Sequence, residues 1–323
     1  MFFALKQTQA IMKNSTIQFK NLYEVSQLSE DQCCELLTQI HWNTHQDCPH
    51  CGCYEKFWYI KTVKRYKCSV CKKQFSRIKG TVFEGSHVSM QKWVRAFIMF
   101  VNIKKGISSY GLAREIRVTQ PTAWFMLHRI RFATFNNPDF KKKLSGIVEI
   151  DETYVGGKGK NRRYKKYKRG ISTEQKTPVV GIVERGGMVR LAVVKRTKGL
   201  SAFAKCLTHD GTVVMSDDNK GYNRVKNKGR EHHVINHTAR QYVDFDNPEI
   251  HTNTIEGFWS HLKRGILGTY HWVSRKYLIR YCHEFQFRYN LREWEPLDSF
   301  YLLLSQCINT RLTYATLTAC KNR

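Results

Sequence analysis

Two CxxC pairs in the first quarter of the chain constrain its fold more than any other feature. The pairs are Cys48-Pro-His-Cys51 and Cys68-Ser-Val-Cys71, and 16 residues separate them. Two pairs at such a spacing converge on one tetrahedral Zn²⁺, and each pair supplies two thiolates. Four buried or disulfide-bonded cysteines are the alternative, which the matched spacing disfavours. The sequence therefore predicts a structural zinc ribbon over residues 42–80.

The charge of the chain indicates the class of its partner. Its 323 residues include 54 Lys and Arg against 26 Asp and Glu, which gives a formal net charge of +28. Such a surplus is self-repelling unless a polyanion neutralises it, so we expect nucleic acid as the partner. An acidic membrane surface is the alternative. No apolar run approaches the about 20 residues that a spanning helix needs, so we expect no membrane segment.

The cysteines outside the predicted zinc site bear on the compartment. The apolar start of the chain is too short for a signal peptide, because Lys6 follows it at once. Without export, the eleven cysteines are not expected to form a disulfide framework. Cys53 is expected to be a bystander, since its use would leave CxC geometry at one pair. We expect a cytoplasmic protein that associates with the nucleoid when it binds DNA.

Helical patterns surround the ribbon on both sides. Residues 1–41 are predicted as an N-terminal helical segment, in which Ser29-Glu30-Asp31-Gln32 has the form of a capping box. After the ribbon, apolar residues recur at helical spacing from Ser89, beginning with Trp93 and Phe97. These patterns predict helices that pack through one apolar face.

A pair of short helices is predicted between residues 81 and 140. The first covers 108–116 and the second about 120–135, with Pro121 in its first turn. A tight turn between two such helices is typical of a helix-turn-helix motif for DNA. We therefore predict DNA contacts from Arg129 and Arg131 on the second helix. A helical hairpin that serves only as scaffold is the alternative.

The pattern changes to strands at about Gly146. The predicted order is three strands, of which the second and third form a hairpin about Gly186-Gly187, then helix, strand and helix. This is the order of a ribonuclease-H-like, retroviral-integrase-like domain, which we place at residues 141–310 with a tail at 311–323. The predicted fold class is thus a multidomain α+β and α/β chain.

A basic run follows the first of these strands. The run is predicted to be a mobile arm that becomes ordered on DNA phosphates, and a solvated loop without a function is the alternative. The run contains eight cations: Lys158, Lys160, Arg162, Arg163, Lys165, Lys166, Lys168 and Arg169.

Acidic residues stand out in so basic a domain. Asp151 ends the first predicted strand and Asp217 the fourth, and these strands are neighbours in the predicted topology. Adjacent carboxylates repel each other, and a divalent cation removes the repulsion. Glu256 lies near the start of the last core helix, and Lys263 lies two turns further along the same face, where it can reach a phosphate. Two carboxylates and a glutamate suit two-metal phosphoryl transfer on Mg²⁺.

Each of these acids has an alternative. Asp218 competes with Asp217, and Glu152 competes with Asp151. The segment from Asn253 to Glu256 also has the form of a capping box, in which the glutamate would satisfy only a helix terminus.

Taken together, the motifs resemble those of the zinc-ribbon-bearing DDE transposases of bacterial insertion sequences, the ISXO2-like group. The resemblance covers about residues 20–310. Beside the ribbon and the helix pair, it rests on the segments Gly146–Gly157, Ser216–Tyr222, His251–Gly265 and Phe285–Asn290.

The resemblance implies an acidic triad on two Mg²⁺ ions, for which Mn²⁺ can substitute. By motif position the triad falls on Asp151, Asp217 and Glu256, with Lys263 as the trailing base. Parts of the group use an asparagine at the third position, which makes Asn253 an alternative. The resemblance also implies binding to terminal inverted repeats, strand transfer into target DNA, and a homodimer or higher multimer on paired DNA ends.

The sequence therefore predicts a DNA transposase. A non-catalytic DNA-binding regulator with a decayed catalytic domain is one alternative, and a ribonuclease-H-like nuclease without strand transfer is another. Terminal inverted repeats beside the gene would separate a transposase from such a nuclease.

Overall fold

The chain forms two compact units. The computed structural model describes residues 19–44, 47–54, 56–63, 65–76, 78–157, 176–195, 200–223, 225, 229–235 and 247–319. The first unit comprises Met1–Asp139 with Trp294–Arg323, and the second comprises Phe140–Glu293. The predicted basic arm, from Lys158 to Arg169, lies outside the described residues.

The first unit begins with two helices and a small sheet. The predicted capping box is present, because the Ser29 N–H donates to Gln32 Oε1 at 2.9 Å and the Gln32 N–H donates to Ser29 Oγ at 3.3 Å. The sheet is antiparallel in the order β1-β2-β3. The elements are α1 Leu22–Ser26, α2 Glu30–Thr44, β1 Phe57–Ile60, β2 Arg65–Cys68 and β3 Gln74–Phe75, with a 3₁₀ turn at Lys61–Val63.

Three helices follow the ribbon, and each has a side-chain cap. The hydroxyls of Ser89, Ser108 and Thr119 accept hydrogen bonds from backbone N–H groups three residues further on. Arg117 adopts a left-handed conformation with φ 52° and so ends the second of them. The helices are α3 Met90–Asn102, α4 Ser109–Ile116 and α5 Gln120–Ala133, followed by 3₁₀ turns at Thr134–Asn136 and Asp139–Lys141.

The end of the chain returns to the first unit. Helix α9, Pro296–Ser305, contacts α2 and α3, and α10 covers Tyr314–Thr318. We expected the catalytic domain to extend to residue 310, but the second unit ends at Glu293. The physical reason is that α9 is apolar over most of its surface and buries side chains such as Phe300 and Leu303.

The second unit is built on a five-stranded sheet. Its strands are β4 Ile147–Val155, β5 Thr177–Glu184, β6 Val189–Val193, β7 Val213–Asp217 and β8 Glu231–Ile235. Their order in the sheet is β6-β5-β4-β7-β8. The β4-β5 and β5-β6 pairs are antiparallel, whereas β4-β7 and β7-β8 are parallel. Sequence analysis missed β8, because two adjacent histidines interrupt its apolar alternation.

Helices cover both faces of this sheet. The helices are α6 Leu200–Leu207, α7 Asn253–Gly265 and α8 Leu278–Asn290, with a 3₁₀ turn at Lys220–Tyr222 and a π-helical turn at Ile266–Tyr270. One core cluster joins β5 and β6 to α7 and α8, and a second cluster packs Val148 and Ile150 with α6. Since side chains alternate along a strand, Glu149 and Asp151 point to the opposite face, toward α7.

Candidate active site and zinc centre

Three carboxylates meet where β4 and β7 separate. The last paired residues of these strands are Ile150 and Ser216, and Asp151 and Asp217 come next along each strand. Oxygen atoms of Asp151, Glu152 and Asp217 all lie within 4.8 Å of one another. The predicted neighbourhood of the two strands is therefore correct. The prediction that the first strand ends at Asp151 was wrong, because β4 continues to Val155.

Asp151 is oriented by a tryptophan from α7. The Trp259 indole Nε1–H donates to Asp151 Oδ2 at 2.8 Å, and the Glu152 N–H donates to Asp151 Oδ1 at 2.7 Å. Burial raises the pKa of Asp151 to about 7, and the nearby carboxylates of Asp217 and Glu152 add to the rise.

A glycine makes room for that tryptophan. Gly181 on β5 pairs with Asp151 in register. A Cβ atom at Gly181 would lie 2.7 Å from Trp259 Cη2, which is closer than packed atoms approach. The bare backbone at this position allows the indole ring to reach the carboxylate.

Glu152 is held by the 3₁₀ turn that follows β7. The Tyr222 hydroxyl donates to Glu152 Oε2 at 2.6 Å, and Asn219 Nδ2 donates to Glu152 Oε1. The Asn219 backbone N–H also donates to Asp217 Oδ1 at 3.2 Å. Sequence analysis weighed Glu152 against Asp151, whereas the structure brings both into one cluster. Asp218 is exposed and lies outside that cluster.

Glu256 occupies the first turn of α7, beside the carboxylate cluster rather than within it. The Thr252 hydroxyl donates to Glu256 Oε1 at 3.3 Å. Trp259, three residues on, lies on the same side of the helix and reaches Asp151, so this side of α7 faces the cluster. Lys263 is exposed and lies two turns further along that side.

The proposed capping box at this helix takes another form. Thr252 occupies the N-cap position, so Asn253 is the first helical residue rather than the cap. Asn253 is exposed, and its N–H lies 3.4 Å from His251 Nδ1.

A buried glutamate fixes the start of α7 to the sheet. Glu149 is fully buried and accepts from Arg185 Nε at 2.7 Å, Thr254 Oγ1 at 2.8 Å and the Ile255 N–H at 3.0 Å. Arg185 Nη2 donates to the His251 carbonyl at 2.9 Å. Sequence analysis missed this network. The available signal was a glutamate inside an otherwise apolar strand.

The cysteine cluster contains five sulfur atoms rather than four. Sγ–Sγ distances are 3.8 Å for Cys48–Cys71, 3.8 Å for Cys51–Cys68 and 3.1 Å for Cys53–Cys68. The sulfurs of Cys48, Cys51, Cys53 and Cys68 all lie within 4.8 Å of one another. Cys53, which was expected to be a bystander, thus lies in this cluster, because the turn after Cys51 brings its thiol to Cys68. A converging set of thiols suits Zn²⁺.

Comparison with known proteins identifies the family. The ISXO2-like transposase domain matches residues 143–290, and the transposase zinc-ribbon domain matches residues 28–74. The chain is 30% identical over 276 residues to an uncharacterized protein in transposable element ISH50 of Halobacterium salinarum, across 81% of this chain and 91% of that protein. The chain belongs to the ISXO2-like transposase family. Its zinc-ribbon domain and cysteine cluster together indicate Zn²⁺.

The two arginines predicted to contact DNA have a different place in this transposase. Arg129 donates to the carbonyls of Val82 and Glu84 at 2.8 and 3.1 Å and packs over the Phe125 ring. Arg129 and Arg131 are both buried. The prediction that they face DNA was wrong, because α5 is enclosed over most of its length. The exposed residues of the helix pair include Tyr110, Arg114, Arg117 and Thr119.

Within the described part of this transposase, no helix is both long and apolar enough to cross a membrane.

Proposed function

We propose that this chain is the DNA transposase of an insertion sequence. It would bind terminal inverted repeats, hydrolyse DNA phosphodiesters and join the 3′-OH ends to target DNA. The observation that carries the proposal is the convergence of Asp151, Glu152 and Asp217 within 4.8 Å at the point where two parallel strands separate. Family membership supports the same activity.

We infer that the second unit has a ribonuclease-H-like fold. Its strand order is β6-β5-β4-β7-β8, with β5 antiparallel to its neighbours and helices on both faces. The candidate acids stand on the central strand, on the strand beside it and on the helix that covers them.

The acids are a suitable donor set for a divalent cation. Carboxylate oxygens are the ligands that Mg²⁺ and Mn²⁺ prefer. Burial, together with the neighbouring carboxylates of Asp217 and Glu152, raises the pKa of Asp151 and so disfavours its ionised form. Asp151, Asp217 and Glu256 would hold the metal, and Glu152 is a further candidate. A bound pair of Mg²⁺ ions supplies activation of the attacking oxygen and stabilisation of the leaving oxygen.

The surrounding residues hold these acids in place. Trp259 fixes one oxygen of Asp151, and the Tyr222 hydroxyl fixes one oxygen of Glu152. Lys263, exposed on the same side of α7 as Glu256, would neutralise a DNA phosphate. Water and then the 3′-OH would serve as nucleophiles, so no covalent protein–DNA intermediate is required.

The first unit and the basic arm would position the DNA. Zn²⁺ on the cysteine cluster would be structural, since the ribbon is too small to be stable through its own core. Cations of the arm at 158–169 would contact phosphates. The logarithm of the DNA-binding constant should therefore fall by about 0.9 per phosphate contact for each tenfold rise in salt concentration. We also propose at least a dimer on paired DNA ends.

A strand-transfer assay on the full chain tests the proposal. DNA carrying the ends of the element would be cleaved and joined with Mg²⁺ or Mn²⁺, whereas Ca²⁺ would support binding without chemistry because its coordination is longer and looser. Asp151→Asn should bind these ends normally and fail to cleave them. Asp218→Asn is the matched control and should remain active. Cleavage by Asp151→Asn at the wild-type rate would defeat the proposal.

A further inference from the structure

The turn that connects α7 to α8 projects an unusual apolar surface. This α7–α8 turn comprises residues 266–277. Leu267 and Trp272 on it are 67% and 66% exposed. Single exposed apolar residues are ordinary, but tryptophan is on average one of the more buried residue types. Two large apolar side chains exposed on one short turn therefore need an explanation.

The exposure does not result from a loosely held segment. The Tyr270 hydroxyl donates to buried Glu284 at 2.8 Å, and its ring packs edge-on against Tyr281 at 4.7 Å between centroids. Ile266 and Val273 are buried in the core cluster beneath α7 and α8. The turn is thus fixed to the core at Ile266, Tyr270 and Val273, and Trp272 lies between the last two.

The backbone reinforces this outward placement. His271 adopts φ 58°, which is uncommon for a residue with a side chain. The Trp272 N–H then donates to the Tyr270 carbonyl at 2.6 Å in a tight reversal. Since Tyr270 before it and Val273 after it are anchored in the core, Trp272 is held with its ring at the surface.

The charge around the turn identifies the kind of partner. No Asp or Glu lies between Glu256 and Glu284 in the sequence, and Glu284 is buried against Arg288 at 2.7 Å. The exposed cations on and beside the turn are Lys263, Arg264, Arg275 and Lys276. The cores of protein–protein interfaces are depleted of charge, and lysine is rare in them. An exposed aromatic ring among cations is instead the arrangement that binds single-stranded nucleic acid.

We propose that the α7–α8 turn binds an unpaired DNA base, which stacks on Trp272 while the surrounding cations contact the phosphates. The base must be unpaired because both faces of a base inside a duplex are already stacked. The proposal rests on the proposed function only in taking DNA as the substrate.

Fluorescence anisotropy with the full chain tests this site. Two labelled duplexes are compared without divalent metal, one fully paired and one with a single unpaired nucleotide. Wild-type protein should bind the second more tightly. Trp272→Ala should weaken binding to it by about 5- to 150-fold and change binding to the paired duplex less than about twofold. Trp272→Phe should restore most of the difference.

Two control variants separate stacking from charge and from general apolar contact. Leu267→Ala removes an equally exposed side chain from the same turn and should retain the preference for the unpaired nucleotide. Arg275→Gln combined with Lys276→Gln should weaken binding to both duplexes together.

The possible outcomes are distinct. Equal binding of the two duplexes by wild type, or an equal loss on both with Trp272→Ala, would overturn the proposal. So would a Trp272→Ala protein that keeps the preference but loses self-association in sedimentation, since the turn would then be a protein interface. Absence of strand transfer beside a preference that depends on Trp272 would defeat the proposed function and leave this inference intact.

Discussion

The cysteine cluster and the carboxylate cluster are both sets of candidate metal ligands, yet they are assembled differently. The five cysteines of the cluster lie within the short segment Cys48–Cys71. Three of them precede β1, and Cys68 and Cys71 lie at the end of β2 and in the turn after it. The clustered carboxylates come from β4 and β7, and the proposed third acid, Glu256, comes from α7; these elements are far apart in sequence. The cysteine site therefore depends on local spacing, whereas the carboxylate site depends on how α7 packs on the sheet through Glu149 and Trp259. Loss of a cysteine should disturb structure, and loss of a carboxylate should disturb chemistry.

The largest expected effect is on catalysis. Asp217→Asn should lower strand transfer by at least about 10³-fold, because metal ligands supply several kcal/mol of transition-state stabilisation. Its melting temperature and zinc content should stay at the wild-type values. Glu256→Gln should have an equal effect, and Asn253→Ala should remain active. An active Glu256→Gln protein together with an inactive Asn253→Ala protein would assign the third metal ligand to Asn253 instead of Glu256.

The second effect is on zinc. We expect about one Zn²⁺ per chain by elemental analysis, and a loss of most of it in Cys48→Ser or Cys68→Ser, since a three-thiolate site binds far more weakly. A comparison of Cys71→Ser with Cys53→Ser identifies the fourth ligand, because only the loss of that ligand should reduce the zinc content. Cys206→Ser, at an exposed position outside the ribbon, is the control.

A third prediction concerns the link between α7 and the sheet. Glu149→Gln leaves Arg185 without its buried carboxylate partner, which should destabilise the second unit by about 3 kcal/mol and lower its melting temperature by roughly 6–12 °C. Strand transfer should fall as well, because Glu256 loses its fixed position. Glu249→Gln, at the exposed partner of Arg185, should change stability by less than about 0.5 kcal/mol. An unchanged melting temperature for Glu149→Gln would contradict the account of this network.

The smallest effect should come from one added methyl group. Gly181→Ala would crowd Trp259 and should destabilise the second unit by about 1–3 kcal/mol, with a partial loss of strand transfer as Asp151 loses its indole partner. Gly257→Ala is the matched control on α7, where a Cβ would meet no atom within 4 Å. It should be neutral or stabilising by up to about 1 kcal/mol. Equal stability and equal strand transfer of the two variants would show that Gly181 is not needed to place Trp259 against Asp151.

Sequence reasoning succeeded where the determinants were local. The CxxC spacing predicted the ribbon, and the Ser29–Gln32 pattern predicted a capping box that is present. The order of the elements, through the topology it implies, also predicted which two strands are neighbours. It failed where the answer depended on the fold around a residue. Helical periodicity could not show that α5 is enclosed on nearly all sides, so Arg129 and Arg131 were assigned to DNA.

The missed parts of the candidate site have the same cause. Nothing in the sequence indicates that the indole N–H of Trp259 donates to Asp151. The contact between Glu149 and Arg185 forms only when β4, β5 and α7 are packed together. Cys53 was excluded because ideal CxxC geometry was assumed for a turn that brings a fifth thiol back to the cluster.

The return of α9 to the first unit has a consequence for synthesis of the chain. A polypeptide emerges from the ribosome with its N-terminus first, and N-terminal domains commonly fold before C-terminal ones. Here the ribbon and the helix pair emerge first, but the helix that packs against α2 and α3 emerges only after the whole second unit. A polypeptide that ends before α9 would thus contain the cysteine cluster and the sheet but would lack the helix that packs against α2 and α3. Completion of the first unit is thereby tied to full-length translation.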